Sequence, residues 1–295
     1  MLRSPPPLRP GDVIRVVAPS SPFPREALLQ GLAWLAMRYT LRVETSLFER
    51  DGFLAGPDAV RGAALAAALR DPTARAVLCA RGGYGATRLL PDLPWHELTR
   101  APKWIVGFSD VTALHGAAAH AGVRSVHAPN VTGLGRSGTS AADRLALLRA
   151  LEGGELPAWE GLGVLVRGEA RGPLVGGNLA VLTALVGSPF LHVPRGAVLA
   201  LEDVTERPYR IDRMLTTLRL AGVLERVAAV VCGEFTSCEP GPDGVTVDEV
   251  LARNLSQLGV PVVCGAPFGH GATNRAFVHG ATARVSGGAV IVERG

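Results

Sequence analysis

The chain has 295 residues, 47% of them hydrophobic and 19% charged, so it is long and apolar enough to bury a large core and form two domains. Its formal net charge of +4 comes almost wholly from arginine, because Lys103 is the only lysine. The arginines are scattered and no stretch of 18 apolar residues occurs, which argues against nucleic-acid and membrane partners.

The cysteines and the N-terminal residues indicate a reducing compartment. Cys79, Cys232, Cys238 and Cys264 lack C-x-x-C spacing, so we expect neither a metal site nor a disulfide framework. Residues 1–12 carry prolines where a secretory signal needs uninterrupted apolar residues. The sequence therefore predicts a cytoplasmic protein.

Short apolar runs alternate with helical segments through the first half of the chain. We predict strands at 13–18, 41–44, 76–80, 104–106 and 125–127, and helices at 25–38, 57–70, near 86–98 and after Ser109. This alternation predicts a parallel α/β sheet covered on both faces, with a ligand crevice at the carboxyl ends of its strands.

The second half reads as a smaller, mixed α/β domain. Many Gly, Pro and Glu residues between 152 and 172 are typical of a linker. We therefore assign 1–155 to an N-terminal domain, 156–172 to a linker or crossing, and 173–295 to a C-terminal domain. Within the last of these we predict a helix after 176–178, a strand at 198–201, a helix at 209–221, a strand at 228–233, a helix at 247–258, and short strands over the final forty residues.

A serine stands where the strand at 104–106 becomes a helix. Ser109 follows Gly107-Phe108 directly, so its hydroxyl should lie above the sheet edge beside the free N–H groups of the helix. Hydrolases often mount a serine nucleophile in this way, although here Asp110 follows the serine and the second glycine of the usual G-x-S-x-G turn is missing. The alternative is that Ser109 is only an N-cap.

A serine nucleophile needs a base and an orienting acid. His270 lies between two glycines, directly after the apolar run 261–264. Glu202 and Asp203 end the predicted strand at 198–201 and are candidate acids. His127 ends another strand and could line the same crevice. The alternatives are that His270 is an ordinary loop histidine and that Glu202 and Asp203 lie in a solvated turn.

Five motifs occur in an order that resembles the LD-carboxypeptidases, also called muramoyltetrapeptide carboxypeptidases. They are RGGYG at 81–85, GFSD at 107–110, GGN at 176–178, LEDV and ERPYRIDRML within 201–215, and PFGHG at 267–271. The resemblance implies a Ser-Glu-His peptidase without a metal or other cofactor. It also implies a Rossmann-like or flavodoxin-like N-terminal domain and a swivelling β/α/β-type C-terminal domain.

The catalytic residues follow from the resemblance, motif by motif. It implies that Ser109 is the nucleophile, His270 the general base and Glu202 the acid that orients the base. Glu202 matches the first acid of the LED motif and is preferred to Asp203, and Glu206 is a weaker competitor.

Substrate-binding groups are implied in the same way. The backbone N–H groups of Gly83 and Asp110 would form the oxyanion hole, and Gly82 would shape the turn. The substrate would be a murein tetrapeptide that loses its terminal D-alanine during cell-wall recycling, and Arg81, Arg213 and Arg275 are candidates for binding its carboxylate. Family members are usually homodimers, so the resemblance also implies a homodimer.

Three other functions remain open. Some relatives resemble microcin-immunity peptidases, which cleave aminoacyl nucleotides or acyl-sulfamates, but no aromatic-bearing insertion is evident here. A muropeptide-binding sensor would have no use for a complete Ser109, Glu202 and His270 set. A dinucleotide-binding protein is least favoured, because RGGYGA lacks G-x-G-x-x-G spacing.

Overall fold

The computed structural model describes residues 2–135 and 140–293 and is built around two β-sheets with helices packed on them. The strands are β1 (Val13–Val17), β2 (Thr40–Val43), β3 (Ala74–Cys79), β4 (Trp104–Gly107), β5 (Ser125–His127), β6 (Gly163–Val166), β7 (Glu169–Asn178), β8 (Ala197–Val204), β9 (Val227–Thr236), β10 (Val262–Cys264), β11 (Phe277–His279), β12 (Thr282–Ser286) and β13 (Ala289–Val292). The α-helices are α1 (Arg25–Ala36), α2 (Asp58–Arg70), α3 (His96–Arg100), α4 (Thr112–His120), α5 (Val131–Leu134), α6 (Ala141–Glu152), α7 (Leu179–Ala184), α8 (Pro208–Leu220) and α9 (Val247–Leu255). Short 3-10 segments lie at Thr45–Phe48, Ala86–Asp92, Ser109–Val111, Leu224–Arg226 and Ser256–Leu258.

The first sheet has the order β11-β5-β4-β3-β1-β2, and every pair is parallel except β11 with β5. Its inner strands β1, β3, β4 and β5 are largely buried, as is usual for a parallel sheet with helices on both sides. Val106 packs into one core cluster and Ile105, one residue earlier, into the other. The carboxyl end of β4 therefore rises from a rigid, fully buried base.

The second sheet has the order β13-β12-β7-β8-β9-β10-β6. The four inner strands β7, β8, β9 and β10 are parallel, and the outer strands pair antiparallel. Strand β8 is buried along nearly its whole length, with Leu199 in one cluster and Val198 in another. It carries Glu202 near its carboxyl end.

Residues 156–172, which we assigned to a linker or crossing, contain β6 and the start of β7. Strand β7 pairs with both β8 and β12, so it lies inside the sheet. Gly176 has φ +121 and leaves no room for a Cβ against the carbonyl of Ala200, so glycine is required for this close pairing. Helix α6 was not predicted from the sequence.

The predicted boundary near residue 173 does not separate the two sheets cleanly. Strand β11 follows the predicted boundary by about a hundred residues, yet it pairs with β5 at the edge of the first sheet. The two halves of the chain are therefore interlocked at this edge. No helix in the described ranges is both long and apolar enough to cross a bilayer.

Candidate active site

Ser109 occupies the turn between β4 and α4 in a backbone conformation that non-glycine residues rarely adopt. Its φ is 67°, in the left-handed region. The buried side chain of Asn130 braces the turn, since its Oδ1 accepts the Phe108 N–H at 3.3 Å. The strained turn presents the hydroxyl above the sheet edge, and the sequence had not identified Asn130 as its support.

The loop at 82–85 lies directly against this hydroxyl. A Cβ on Gly82 would come within 2.7 Å of the Ser109 Cβ and 2.9 Å of its Oγ. Ser21 holds the loop from the other side: its N–H donates to the Gly82 carbonyl at 3.2 Å, and its Oγ accepts the Tyr84 N–H at 3.1 Å. The backbone of the loop is thus fixed beside the serine, and a larger residue at position 82 would collide with it.

A fully buried arginine ties together the loops beneath this region. Arg61 Nε donates to the Gly56 carbonyl at 3.0 Å, and its Nη1 donates to the carbonyls of Pro19 and Gly85. Arg61 also pairs with Asp58. Such a residue is hard to find from sequence, because arginine side chains are seldom fully buried and nothing near the start of α2 marks Arg61 as an exception.

His270 connects Ser109 to Glu202. Its Nε2 lies 3.1 Å from Ser109 Oγ, and its Nδ1 lies 2.6 Å from Glu202 Oε2. These contacts favour the tautomer in which Nδ1–H donates to the carboxylate and Nε2 accepts the serine O–H. The Phe108 ring packs 4.8 Å from the imidazole, centroid to centroid, and limits its motion.

The loop that carries His270 is anchored on β9, next to the strand that carries Glu202. The register of β8 with β9 shifts after Leu201, which is paired with Cys232, so β9 bulges beside the acid. The Glu234 N–H donates to the Phe268 carbonyl at 3.0 Å, and the Ala266 N–H donates to the Cys232 carbonyl at 3.0 Å. The bulge and these bonds hold the loop over the end of β8.

The structure also separates Glu202 from the other candidate acids. Asp203 is turned toward the neighbouring elements, where it accepts N–H groups from Asn178, Ala180 and Val204 at 2.8–3.0 Å. Burial, together with the charge of Glu202, raises the pKa of Asp203 to about 6. Glu206 forms an ion pair with Arg210, with Nη1 3.4 Å from Oε2.

Thr112, in the first turn of the helix behind Ser109, contacts the second sheet. Its Oγ1 accepts the Asn178 N–H at 3.0 Å, and a Cβ on Gly177 would lie 2.5 Å from the same oxygen. Asn178 in turn donates its side-chain amide to Asp203. A chain of hydrogen bonds therefore runs from the serine's helix to the strand that carries Glu202.

Two stacked histidines lie beneath the site. The rings of His115 and His279 are 5.5 Å apart and nearly parallel, and both are buried. His115 contacts the Gly107 carbonyl and the Ser125 hydroxyl, each at 2.9 Å, while His279 Nε2 accepts the Gly176 N–H at 3.1 Å. Burial lowers the pKa of His115 to about 4 and that of His279 well below its usual value. Both are neutral structural groups.

His127 is a packing residue and does not line an open crevice. It is completely buried, and its ring stacks on Phe277 at 4.5 Å with an interplanar angle of 13°. Burial also lowers its pKa well below the usual value.

The three candidate arginines are engaged elsewhere in the described residues. Arg81 donates to the Pro22 carbonyl, and Arg213 lies on the exposed face of α8, 5.4 Å from the ring of Tyr209. Arg275 forms an ion pair with Asp143, with Nε 2.9 Å from Oδ1. Arg81 is next to Gly82 in the chain and so flanks the serine's loop.

The proposed oxyanion donors are Gly83 and Asp110. Gly83 follows Gly82, which packs against Ser109, and Asp110 follows Ser109 in the 3-10 turn Ser109–Val111. In the parts of the chain that the structure describes, no hydrogen bond occupies the N–H of either residue. The Asp110 carboxylate points away and accepts the Ala86 N–H at 2.8 Å, and burial raises the pKa of this carboxyl. Within the same ranges, no cluster of His, Cys, Asp and Glu is arranged to hold a metal ion.

Models of known families match both halves of the chain. The LD-carboxypeptidase N-terminal domain matches residues 14–128, and the LD-carboxypeptidase C-terminal domain matches residues 171–285. The chain belongs to the LD-carboxypeptidase family. The resemblance drawn from the five sequence motifs is therefore confirmed.

Relatives of this LD-carboxypeptidase match nearly its whole length. A putative carboxypeptidase of Synechocystis is 41% identical, with 96% of this chain and 94% of the relative covered. The murein tetrapeptide carboxypeptidase of Pseudomonas aeruginosa is 35% identical, with 93% of each chain covered.

Solved structures confirm the expected α/β fold with its parallel-strand sheets. The muramoyltetrapeptide carboxypeptidase from Oxalobacter formigenes has a TM-score of 0.86 at 28% identity, covering 95% of this chain and 99% of its own. The microcin C7 self-immunity protein in complex with aspartyl sulfamoyl adenosine has a TM-score of 0.86 at 21% identity, covering 99% and 98%. At that identity the second likeness concerns the fold alone.

Proposed function

We propose that this LD-carboxypeptidase removes the terminal D-alanine of murein tetrapeptides with Ser109, His270 and Glu202 as its catalytic residues. The observation that carries the proposal is the continuous line from hydroxyl to imidazole to buried carboxylate, with separations of 3.1 and 2.6 Å. The substrate is supported by the names of the relatives from Pseudomonas aeruginosa and Oxalobacter formigenes.

In the first half of the reaction, His270 Nε2 takes the proton of Ser109 as Oγ attacks the carbonyl carbon of the L,D-peptide bond. Glu202 stabilises the imidazolium that forms. The oxyanion is stabilised by the N–H groups of Gly83 and Asp110, which are free of partners in the described residues. His270 then gives its proton to the leaving amine of D-alanine, and an acyl-enzyme remains.

The second half reverses these roles. His270 takes a proton from a water molecule, which attacks the ester carbonyl of the acyl-enzyme, and the oxyanion is again held by the two backbone donors. The collapse of this intermediate returns the proton to Ser109 Oγ and releases the tripeptide.

A carboxypeptidase must also recognise the free carboxylate at the end of its substrate. Arginine is suited to this because its guanidinium donates two parallel hydrogen bonds to a carboxylate. Arg81 is the better placed candidate, since it flanks Gly82 in the loop that contacts Ser109. Arg213 remains a second candidate, whereas Arg275 is already paired with Asp143.

The test is mass spectrometry of a defined L,D-tetrapeptide incubated with the wild type and with Ser109→Ala. We expect the wild type to release one alanine and the variant to release none. Release by both proteins at the same rate would exclude Ser109 as the nucleophile. Release by neither would exclude this substrate.

A second candidate substrate is an aminoacyl sulfamoyl nucleoside, because a protein of the same fold has been solved with aspartyl sulfamoyl adenosine. Parallel assays of this compound and of the tetrapeptide separate the two activities. We expect cleavage of the tetrapeptide. A muropeptide-binding sensor would bind the tetrapeptide and leave both compounds intact.

The proposed role in cell-wall recycling places the enzyme in the cytoplasm, and the family resemblance suggests a homodimer. Cell fractionation with a tagged full-length chain tests the first statement. Light scattering coupled to size-exclusion chromatography tests the second, with a dimer mass expected.

A further inference from the structure

Two cysteines face each other on neighbouring strands of the second sheet. Cys232 in β9 and Cys264 in β10 are direct partners in the parallel register. Residues paired in this way point to the same face of a sheet, and both cysteines pack against the same apolar cluster. Adjacent strands lie about 5 Å apart, which is within the range of Cα separations that a disulfide spans.

The two thiols differ in their access to solvent. Cys232 is completely buried, whereas Cys264 is partly exposed. Both line an open cavity of about 400 Å³ that is also bordered by residues of α9. A small oxidant therefore reaches Cys264 first, with Cys232 directly behind it.

The electrostatics of the pair agree with this order. Contact with Cys264 and burial raise the pKa of Cys232, so this thiol ionises less readily than a free one. The remaining cysteines are less suited to oxidation. Burial raises the pKa of Cys79, and raises that of Cys238 to about 11.

We propose that Cys264 and Cys232 are a redox-active pair that forms a reversible disulfide in the folded protein. With a hydroperoxide as oxidant, the Cys264 thiolate attacks a peroxide oxygen, the O–O bond breaks and a sulfenic acid forms. Cys232 then loses its proton and attacks the sulfur of Cys264, the S–O bond breaks and water leaves. For hydrogen peroxide, two thiols and one peroxide become one disulfide and two waters, and an external dithiol reverses the change.

The position of the pair gives the disulfide a structural consequence. Cys264 ends β10 and leads into the loop that carries His270, and the Cys232 carbonyl already accepts the Ala266 N–H of that loop. The disulfide would add a covalent link at the base of this loop. The pair is thus separate from the proposed catalytic residues, and its chemistry does not depend on the proposed function.

The test is oxidation of the native full-length protein with hydrogen peroxide, followed by alkylation, cleavage after arginine and mass spectrometry. Cys264 lies in the peptide 254–275, and Cys232 shares the peptide 227–253 with Cys238. We expect these peptides to be linked with the loss of two hydrogen atoms. The link should persist in Cys238→Ser, disappear in Cys232→Ser and reverse with dithiothreitol.

A second readout traps the intermediate with dimedone, which labels sulfenic acids. In Cys232→Ser we expect strong labelling of Cys264, and in the wild type at least a tenfold lower yield, because Cys232 consumes the intermediate. Equal labelling of the two proteins would overturn the proposal. A link that forms only in denaturant, or one that is lost in Cys238→Ser, would overturn it as well.

Discussion

Nδ1 of His270 lies 2.6 Å from Oε2 of Glu202, and the carboxylate has no solvent exposure while the imidazole is partly exposed. A carboxylate buried in this way is costly unless it is paired, so Glu202 favours a positive charge on the imidazole beside it. That charge appears when His270 takes the proton of Ser109. The burial of Glu202 therefore stabilises the charged imidazole during the reaction, and it lowers the stability of the folded protein before the reaction begins.

Glu202→Gln should lower kcat by about 10³- to 10⁴-fold, because an amide can donate to Nδ1 and so favour the wrong tautomer without stabilising the imidazolium. Steady-state hydrolysis of the tetrapeptide measures the effect. Thermal unfolding of the same sample shows whether the variant is folded.

Glu206→Gln is the matched control for this substitution. Glu206 lies four residues further along and pairs with Arg210 on the surface, so its amide should leave kcat close to the wild-type value. Equal losses in the two variants would contradict the assignment of Glu202.

Gly82→Ala should reduce kcat/KM by about 100-fold or more, because the new Cβ would lie 2.7 Å from the Ser109 Cβ and displace either the loop or the nucleophile.

The control for this substitution is Gly62→Ala within α2, where the nearest atom to the new Cβ is a Leu89 methyl at 3.8 Å. This variant should keep full activity and gain about 0.5–1 kcal/mol of unfolding free energy, since alanine is the better helix former. Full activity in Gly82→Ala would show that the loop does not position Ser109.

The residues that the sequence identified are those whose positions follow from local pattern. Ser109 and Glu202 each stand at or near the carboxyl end of a buried strand, and His270 follows a short one. Strand ends of a parallel sheet cluster at one edge, so the pattern places Glu202 near His270 in the second sheet but does not bring Ser109, in the first sheet, beside them. The family resemblance then supplied the pairing of the three.

The residues that the sequence missed depend on contacts between distant segments. The start of β7 was assigned to the linker because glycines are frequent there, whereas Gly172 packs against the carbonyl of Gly196, directly before β8. Arg61 was not singled out from the sequence, although it binds carbonyls of three loops. Asn130 carries no motif, and its role depends on the Phe108 turn beside it. None of these contacts is visible in hydrophobic periodicity.

The buried histidines should contribute a loss of stability below about pH 6.5. Burial lowers the pKa of His115 from 6.5 to about 4 and lowers those of His127 and His279 well below 6.5. At a pH between the folded-state and unfolded-state pKa values of these histidines, the unfolded chain binds more protons than the folded one. The stability that the histidines contribute is therefore fully present above the unfolded-state pKa and is lost as the pH falls toward the folded-state pKa. For His115 alone the loss approaches about 3 kcal/mol near pH 4.

Urea unfolding at several pH values measures this loss. His115→Asn should flatten the decline between pH 6.5 and 4 relative to the wild type. The control is His96→Asn, since His96 is solvent-exposed, and it should keep the wild-type slope. If the unfolding free energy falls with pH in the same way for the wild type and His115→Asn, His115 is not held neutral in the folded protein.

Thr112→Val should weaken the connection between the serine's helix and the second sheet. The change removes the Oγ1 that accepts the Asn178 N–H at 3.0 Å and leaves that N–H buried without a partner, at a cost of about 1–3 kcal/mol of unfolding free energy. Because Asn178 also bonds to Asp203, next to Glu202, the distance between the Ser109 hydroxyl and the Glu202 carboxylate should become less fixed and kcat should fall.

Thr112→Ser keeps the hydroxyl at position 112 and should restore both the unfolding free energy and kcat. Thr217→Val, which removes a hydroxyl bonded only to the Arg213 carbonyl of its own helix, should change neither. A loss of stability with unchanged kcat in Thr112→Val would mean that Thr112 supports the fold without positioning the nucleophile.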